Sequence, residues 1–143
     1  MNLLIDTSII VQIDRKDNDT IKAIKKMIEK NHTAIISVVT VSEILTGSYL
    51  SRDSKKSVEE AKRILGQFIW LEVTPEIAEK TAQYLAYLIA KGNKIEYQDV
   101  VIAATGKIAE VDYILTLNKE HFNAIPDFKE KAYTPKEILK LIK

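Results

Sequence analysis

Asp6, Glu43 and Asp99 stand alone in apolar company. Asp6 is the only charged side chain between Met1 and Ile13, and Glu43 the only one between Thr33 and Ser51. Asp99 precedes a run without charge, Val100 to Gly106. A carboxylate in low-dielectric surroundings must be hydrogen-bonded, paired with a cation, or protonated. None of the three has a basic residue close in sequence on its expected face. Brought together, three carboxylates repel unless a divalent cation sits among them. Oxygen-only ligation with retained water suits Mg²⁺ or Mn²⁺. Such a centre does phosphoryl chemistry, making a bound water more acidic and neutralising charge on a phosphodiester.

Each acid also has a structural explanation. Asp99 is placed to cap a helix, because its oxygen can accept the orphan N–H groups of a first turn. Thr40-Val41-Ser42-Glu43 has the spacing of a capping box, with Glu43 as its closing acid. Asp6 is placed to cap the short helix after it. Three neutral residues belong beside the acids. Ser8 follows Asp6 closely, and Thr116 and Asn118 leave a strand at its carboxyl end; each can hold a bound water or a phosphate oxygen. Asn118 is equally suited to a turn.

The elements that must position these residues are legible from periodicity. Asn2–Asp6, Thr33–Val38, Ile69–Val73 and Tyr113–Leu117 read as strands, with Ala132–Tyr133 as a short edge. Helices are expected over Thr7–Arg15, Asp17–Asn31, Val41–Ser51, Ser54–Gln67, Pro75 to about Ala90, Asp99 to about Ala109, and Pro135–Ile142. Asn118–Lys131 reads as a loop. Strands alternating with one or two helices predict an α/β domain with a mainly parallel sheet covered on both faces. In such sheets sites form beyond the carboxyl ends of the strands. Asp6, Glu43 and Asp99 can all reach that edge.

Composition narrows the function. The 143 residues are enough for one domain with its own core, expected to span 1–143. No Cys is present, so neither disulfides nor thiolate-held zinc or iron–sulfur is available. A net charge of +1 makes the chain no general polycation. Its longest stretch free of Lys, Arg and Asp is broken by Glu43, so no membrane span is expected. Nothing at Met1–Asp6 resembles a signal peptide, and a cytoplasmic location is expected.

Four segments in order carry a family resemblance: Leu4-Ile5-Asp6-Thr7-Ser8-Ile9-Ile10, Val41-Ser42-Glu43-Ile44, Asp99-Val100-Val101-Ile102-Ala103-Ala104, and Thr116-Leu117-Asn118-Lys119-Glu120-His121-Phe122. Together the sequence resembles the PIN-domain family, specifically the VapC-type toxin ribonucleases. The resemblance implies a three-layer α/β/α sandwich and a Mg²⁺- or Mn²⁺-dependent endoribonuclease. In that family the acids matching Asp6, Glu43 and Asp99 bind metal and activate water for in-line attack on phosphorus. It further implies a homodimer, and an antitoxin of VapB type that inserts a peptide into the acidic groove. A fourth acid often follows the strand matching Tyr113–Leu117. Here Asn118 stands there, which leaves one metal or two open.

His121 could donate to a phosphate, but beside Phe122 it is expected to pack the loop. His32 is expected at a solvated helix end. The basic stretch Arg52, Lys55, Lys56, Lys62 and Arg63 could steer RNA, but it reads better as a solvated helix face laced with ion pairs. Tyr84, Tyr87 and Leu88 form either a dimer-facing stripe or core. Two rivals to the toxin reading are a PIN nuclease of RNA processing or quality control without an antitoxin, and a non-catalytic module whose acids are all caps.

Overall fold

Leu3, Leu4 and Ile5 are completely buried, yet alternation along a strand sends them to opposite faces. Leu4 joins one apolar cluster, while Leu3 and Ile5 join another. Ile35 and Ile36 divide in the same way. A sheet with a core on each side must be covered by helices on both, and the computed structural model, which describes residues 1–142, has that three-layer form.

The element order is β1 (Asn2–Ile5), α1 (Thr7–Asp14), α2 (Asn18–Glu29), β2 (Thr33–Ser37), α3 (Val38–Tyr49), α4 (Ser54–Leu65) and β3 (Ile69–Leu71). There follow α5 (Pro75–Ala90), α6 (Tyr97–Ile108), β4 (Tyr113–Leu115), α7 (Lys119–Asn123), a 3₁₀ turn at Pro126–Phe128, β5 (Ala132–Tyr133) and α8 (Pro135–Leu141). All strand pairs are parallel, in the order β3-β2-β1-β4-β5. The chain winds outward from β1 to β3, then returns across α5 and α6 to β4 on the other side of β1. The reversal opens a crevice between the carboxyl ends of β1 and β4, where ligands of such sheets bind.

Several helix boundaries follow their local signals. The Asp17 side chain caps α2 by accepting from Thr20 N–H, and Thr74 caps α5 with Pro75 at its first position. Thr134 and Glu137 form a complete capping box at α8. Of the basic stretch, Lys55, Lys56, Lys62 and Arg63 lie on α4, where Glu60 and Arg63 pair on an exposed face, and Arg52 precedes it. Of the α5 stripe, Tyr84 and Leu88 are core, whereas Tyr87 is exposed.

Four expectations need correction. α3 begins at Val38, because buried Ser37 caps it by accepting from Val39 N–H. Thr40 and Glu43 therefore lie inside the helix and form no capping box. α6 begins at Tyr97 with Glu96 at the cap position, so Asp99 belongs to the first turn and caps nothing. The segment after Asn118 is no open loop: buried Phe122 fixes α7, and Phe128 fixes the 3₁₀ turn. β3 and β4 each end two residues earlier than expected, which leaves Thr116 just beyond the sheet. Gly106 permits the close approach of α6 to the sheet. A Cβ there would stand 3.1 Å from Leu4 Cδ2 and 3.1 Å from Val111 Cγ2.

Candidate metal centre and active site

The ladder between β1 and β4 runs one step past β1, with Asp6 N–H donating to the Leu115 carbonyl at 3.0 Å. That step sets Asp6 beside Thr116. The Thr116 hydroxyl donates to Asp6 Oδ2 at 2.8 Å, and the Ser8 hydroxyl donates to the same oxygen at 2.8 Å. Leu117 N–H donates to Ser8 Oγ, and Asn118 N–H to Thr116 Oγ1, so the β4 exit holds both hydroxyls in place. Asp6 takes the cap position of α1, but its carboxylate accepts no capping bond.

The other acids are gripped in a parallel way. Glu43 projects from α3 towards α1, where the Thr7 hydroxyl lies 2.8 Å from Oε1 and 2.9 Å from Thr40 Oγ1. Asp99, in the first turn of α6, accepts at Oδ2 from His121 Nδ1 at 2.6 Å. Each carboxylate thus has one oxygen held by a protein donor. Among the described residues the second oxygen of each, Oδ1 of Asp6 and Asp99 and Oε2 of Glu43, accepts no hydrogen bond. For Asp6 that second oxygen is also buried.

The electrostatics show that the three acids share one region. Burial pushes the Asp6 carboxyl above its ordinary range; the Ser8 and Thr116 hydroxyls oppose this, and the charge of Asp99 adds to it. Glu43 is raised chiefly by burial as well, opposed by Thr7 and reinforced by Asp6, Asp99 and Glu96. An acid cluster that resists its own ionisation is poised to take a cation. Among the described residues, however, no three acid or histidine side chains are spaced to close on an ion. Asp99 is engaged with His121 and Glu43 with Thr7, so the acids share an edge without forming a finished ligand set.

The donor set nonetheless fits a hard divalent cation. A buried carboxylate oxygen without a donor costs free energy, and Asp6 Oδ1 is such an atom. The surrounding candidates are all oxygens, the ligand type of Mg²⁺ and Mn²⁺.

Of the expected residues, the structure brings Asp6, Ser8 and Thr116 together at the β1–β4 crevice, with Glu43 and Asp99 near enough to act on one another's charge. Asn118 follows at the start of α7, tied through its backbone, and its side chain makes no cap bond. Asn118→Asp should add a negative charge there and tighten Mn²⁺ binding; unchanged affinity by calorimetry would place Asn118 outside the ion's reach. Sequence reasoning missed Thr7, Thr40 and Glu96. The adjacency of Thr7 to Asp6 and the i,i+3 spacing of Thr40 and Glu43 were the available signals. It also misplaced His121, which bonds to Asp99 instead of merely packing the loop.

A parallel sheet ordered β3-β2-β1-β4-β5, with acids gathered at its switch point, defines an α/β fold with a polar, acid-lined edge. The PIN-domain model matches residues 3–127, and the chain belongs to that family. Solved structures share the fold. A chain of the Rickettsia felis VapBC2 complex bound to a promoter DNA fragment is 19% identical with a TM-score of 0.84, the match covering 94% of this chain and 98% of that one. DNA-bound VapBC from Salmonella typhimurium gives 20% and 0.83 over 94% and 98%. FitAcB from Neisseria gonorrhoeae gives 25% and 0.78 over the same shares. No curated protein sequence matches the chain.

Proposed function

We propose that this protein is a divalent-metal-dependent endoribonuclease that hydrolyses RNA phosphodiesters, and that it is the toxin of a type II toxin–antitoxin pair acting in the cytoplasm. The observation that carries the proposal is the buried Asp6 Oδ1, which has no donor, at an edge where Glu43 and Asp99 are each held through one oxygen. Membership of the PIN family supports nuclease chemistry. The kinship in fold with chains of VapBC and FitAB complexes supports the toxin role. A similar, more distant fold occurs in Mycobacterium tuberculosis VapC20, described as a sarcin–ricin loop cleaving toxin; it is 13% identical over 78% of this chain and 86% of that one, with a TM-score of 0.59.

Asp6, Asp99 and Glu43 would hold Mg²⁺ or Mn²⁺. When bound, the ion supplies a more acidic water and offsets charge on the phosphodiester. Ser8 and Thr116 fix the orientation of Asp6, and Thr7 fixes that of Glu43. Low-dielectric walls around Asp6 strengthen its attraction for the cation.

Two surfaces support the proposed partners. An apolar cleft between α1, α3 and α4, lined by Ile10, Val11, Ile44 and Ile64, runs up to Glu43 and suits an antitoxin peptide of VapB type. Tyr49, Leu50, Ile89 and Tyr97, at the ends of α3 and α5 and the start of α6, are large exposed apolar side chains that a homodimer could cover. No helix among the described residues is long and apolar enough to cross a membrane.

RNA should be cut in Mg²⁺ or Mn²⁺ and left intact in EDTA. Ca²⁺ should bind with little turnover, because its loose coordination positions an attacking water poorly. Full activity in EDTA would overturn the metal mechanism. Co-purification with the product of an adjacent small gene separates a toxin from a PIN nuclease of RNA processing.

A further inference from the structure

We infer that His121 is a positioning residue for Asp99, holding one carboxylate oxygen so that the other stays directed at the metal; this rests on the proposed metal site. The support is the repeated pattern in the crevice. Asp6 has Ser8 and Thr116 on Oδ2, Glu43 has Thr7 on Oε1, and Asp99 has only His121, on Oδ2 at 2.6 Å. Without His121, Asp99 would be the one member of the cluster with no side-chain donor among the described residues.

The geometry also anchors the backbone at His121. α7 is short, but its next residue, Phe122, is completely buried, and His121 N–H donates to the Asn118 carbonyl at 3.1 Å. The backbone that carries the ring is therefore held from the core side and from the β4 exit. A carboxylate only accepts, so Nδ1 carries the proton in this contact. Nε2 is left over, and the His121 side chain keeps 34% of its surface exposed. Groups that hydrogen-bond a ligating carboxylate fix its orientation, and losing one typically costs about 10–100-fold in metal affinity or activity.

Four proteins distinguish the outcomes: wild type, His121→Phe, His121→Asn and Asp99→Asn, each titrated with MnCl₂ by calorimetry and melted in EDTA. Phe keeps the ring volume without a donor. Asn returns an N–H near the Nδ1 position. His121→Phe should bind Mn²⁺ about tenfold more weakly or worse, and His121→Asn should recover most of that loss. A merely structural histidine would show no such rescue. In ¹⁵N-labelled, metal-free wild type, Nδ1 of His121 should carry a proton, a readout independent of whether any variant folds. Unchanged or tighter Mn²⁺ binding by His121→Phe overturns the inference, since the imidazole would then only fill the ion's place. An unprotonated Nδ1 overturns it too. Wild type that binds no Mn²⁺, like Asp99→Asn, overturns the metal site itself and this inference with it.

Discussion

Asp99→Asn and Glu43→Gln should each lower RNA cleavage roughly 100-fold or more, since a metal's hold on the transition state is worth several kcal/mol and about 1.4 kcal/mol is a factor of ten. The fold should survive both changes. Asp99 sits in the first turn of α6 and accepts no backbone N–H, so Asn there forfeits a modest helix-dipole attraction and keeps a carbonyl oxygen to accept the His121 bond in weaker, uncharged form. Glu43 lies in the second turn of α3, and Gln keeps a carbonyl oxygen for the Thr7 hydroxyl. Loss of either charge also relieves repulsion, because Asp99 raises both Asp6 and Glu43. Melting temperatures in EDTA should therefore stay near wild type or rise. Cleavage assays in Mn²⁺ beside melts in EDTA measure both sides. Wild-type cleavage by both amide variants would leave the acids with structural roles only.

Mn²⁺ at about a hundred times its dissociation constant should add about 2.7 kcal/mol of stability, or roughly 10 °C in melting temperature for a domain of this size. The effect should depend on pH with a definite sign. Asp6 and Glu43 titrate above their ordinary values in the folded protein. The native state then binds more protons than the unfolded chain over the window above the unfolded values, which are 3.8 for Asp6 and 4.5 for Glu43. Metal-free stability from these groups is accordingly greatest at low pH and is lost as pH rises through the raised values. The ion must displace the same protons, so the Mn²⁺-induced shift should grow with pH across that window. Asp6→Asn should abolish the shift. Scanning calorimetry over a pH series, with EDTA or MnCl₂, tests this; a shift that shrinks as pH rises, or persists in Asp6→Asn, would falsify the assignment of Asp6 as a ligand.

Local chemistry was sufficient for much of this architecture. Short β-rich runs between amphipathic helices specified a parallel α/β sheet, because period-2 and period-3.6 burial leave separate marks. Asp17 and Pro75 announced the starts of α2 and α5 through signals confined to one turn. The isolation of Asp6, Glu43 and Asp99 in apolar sequence marked them as acids in need of partners. Tertiary packing decided which partners. Thr116 reaches Asp6 across 110 positions because β4 pairs with β1, an outcome of strand order that no local spacing encodes. Thr40 matched a capping box, but Ser37 caps α3, and Thr40 is buried against Thr7 instead. Asp99 matched a cap, but α6 starts at Tyr97, and the carboxylate meets His121 across 22 positions. A side chain with several short-range options takes the one its neighbours in space complete, and those neighbours are set by the winding of the sheet.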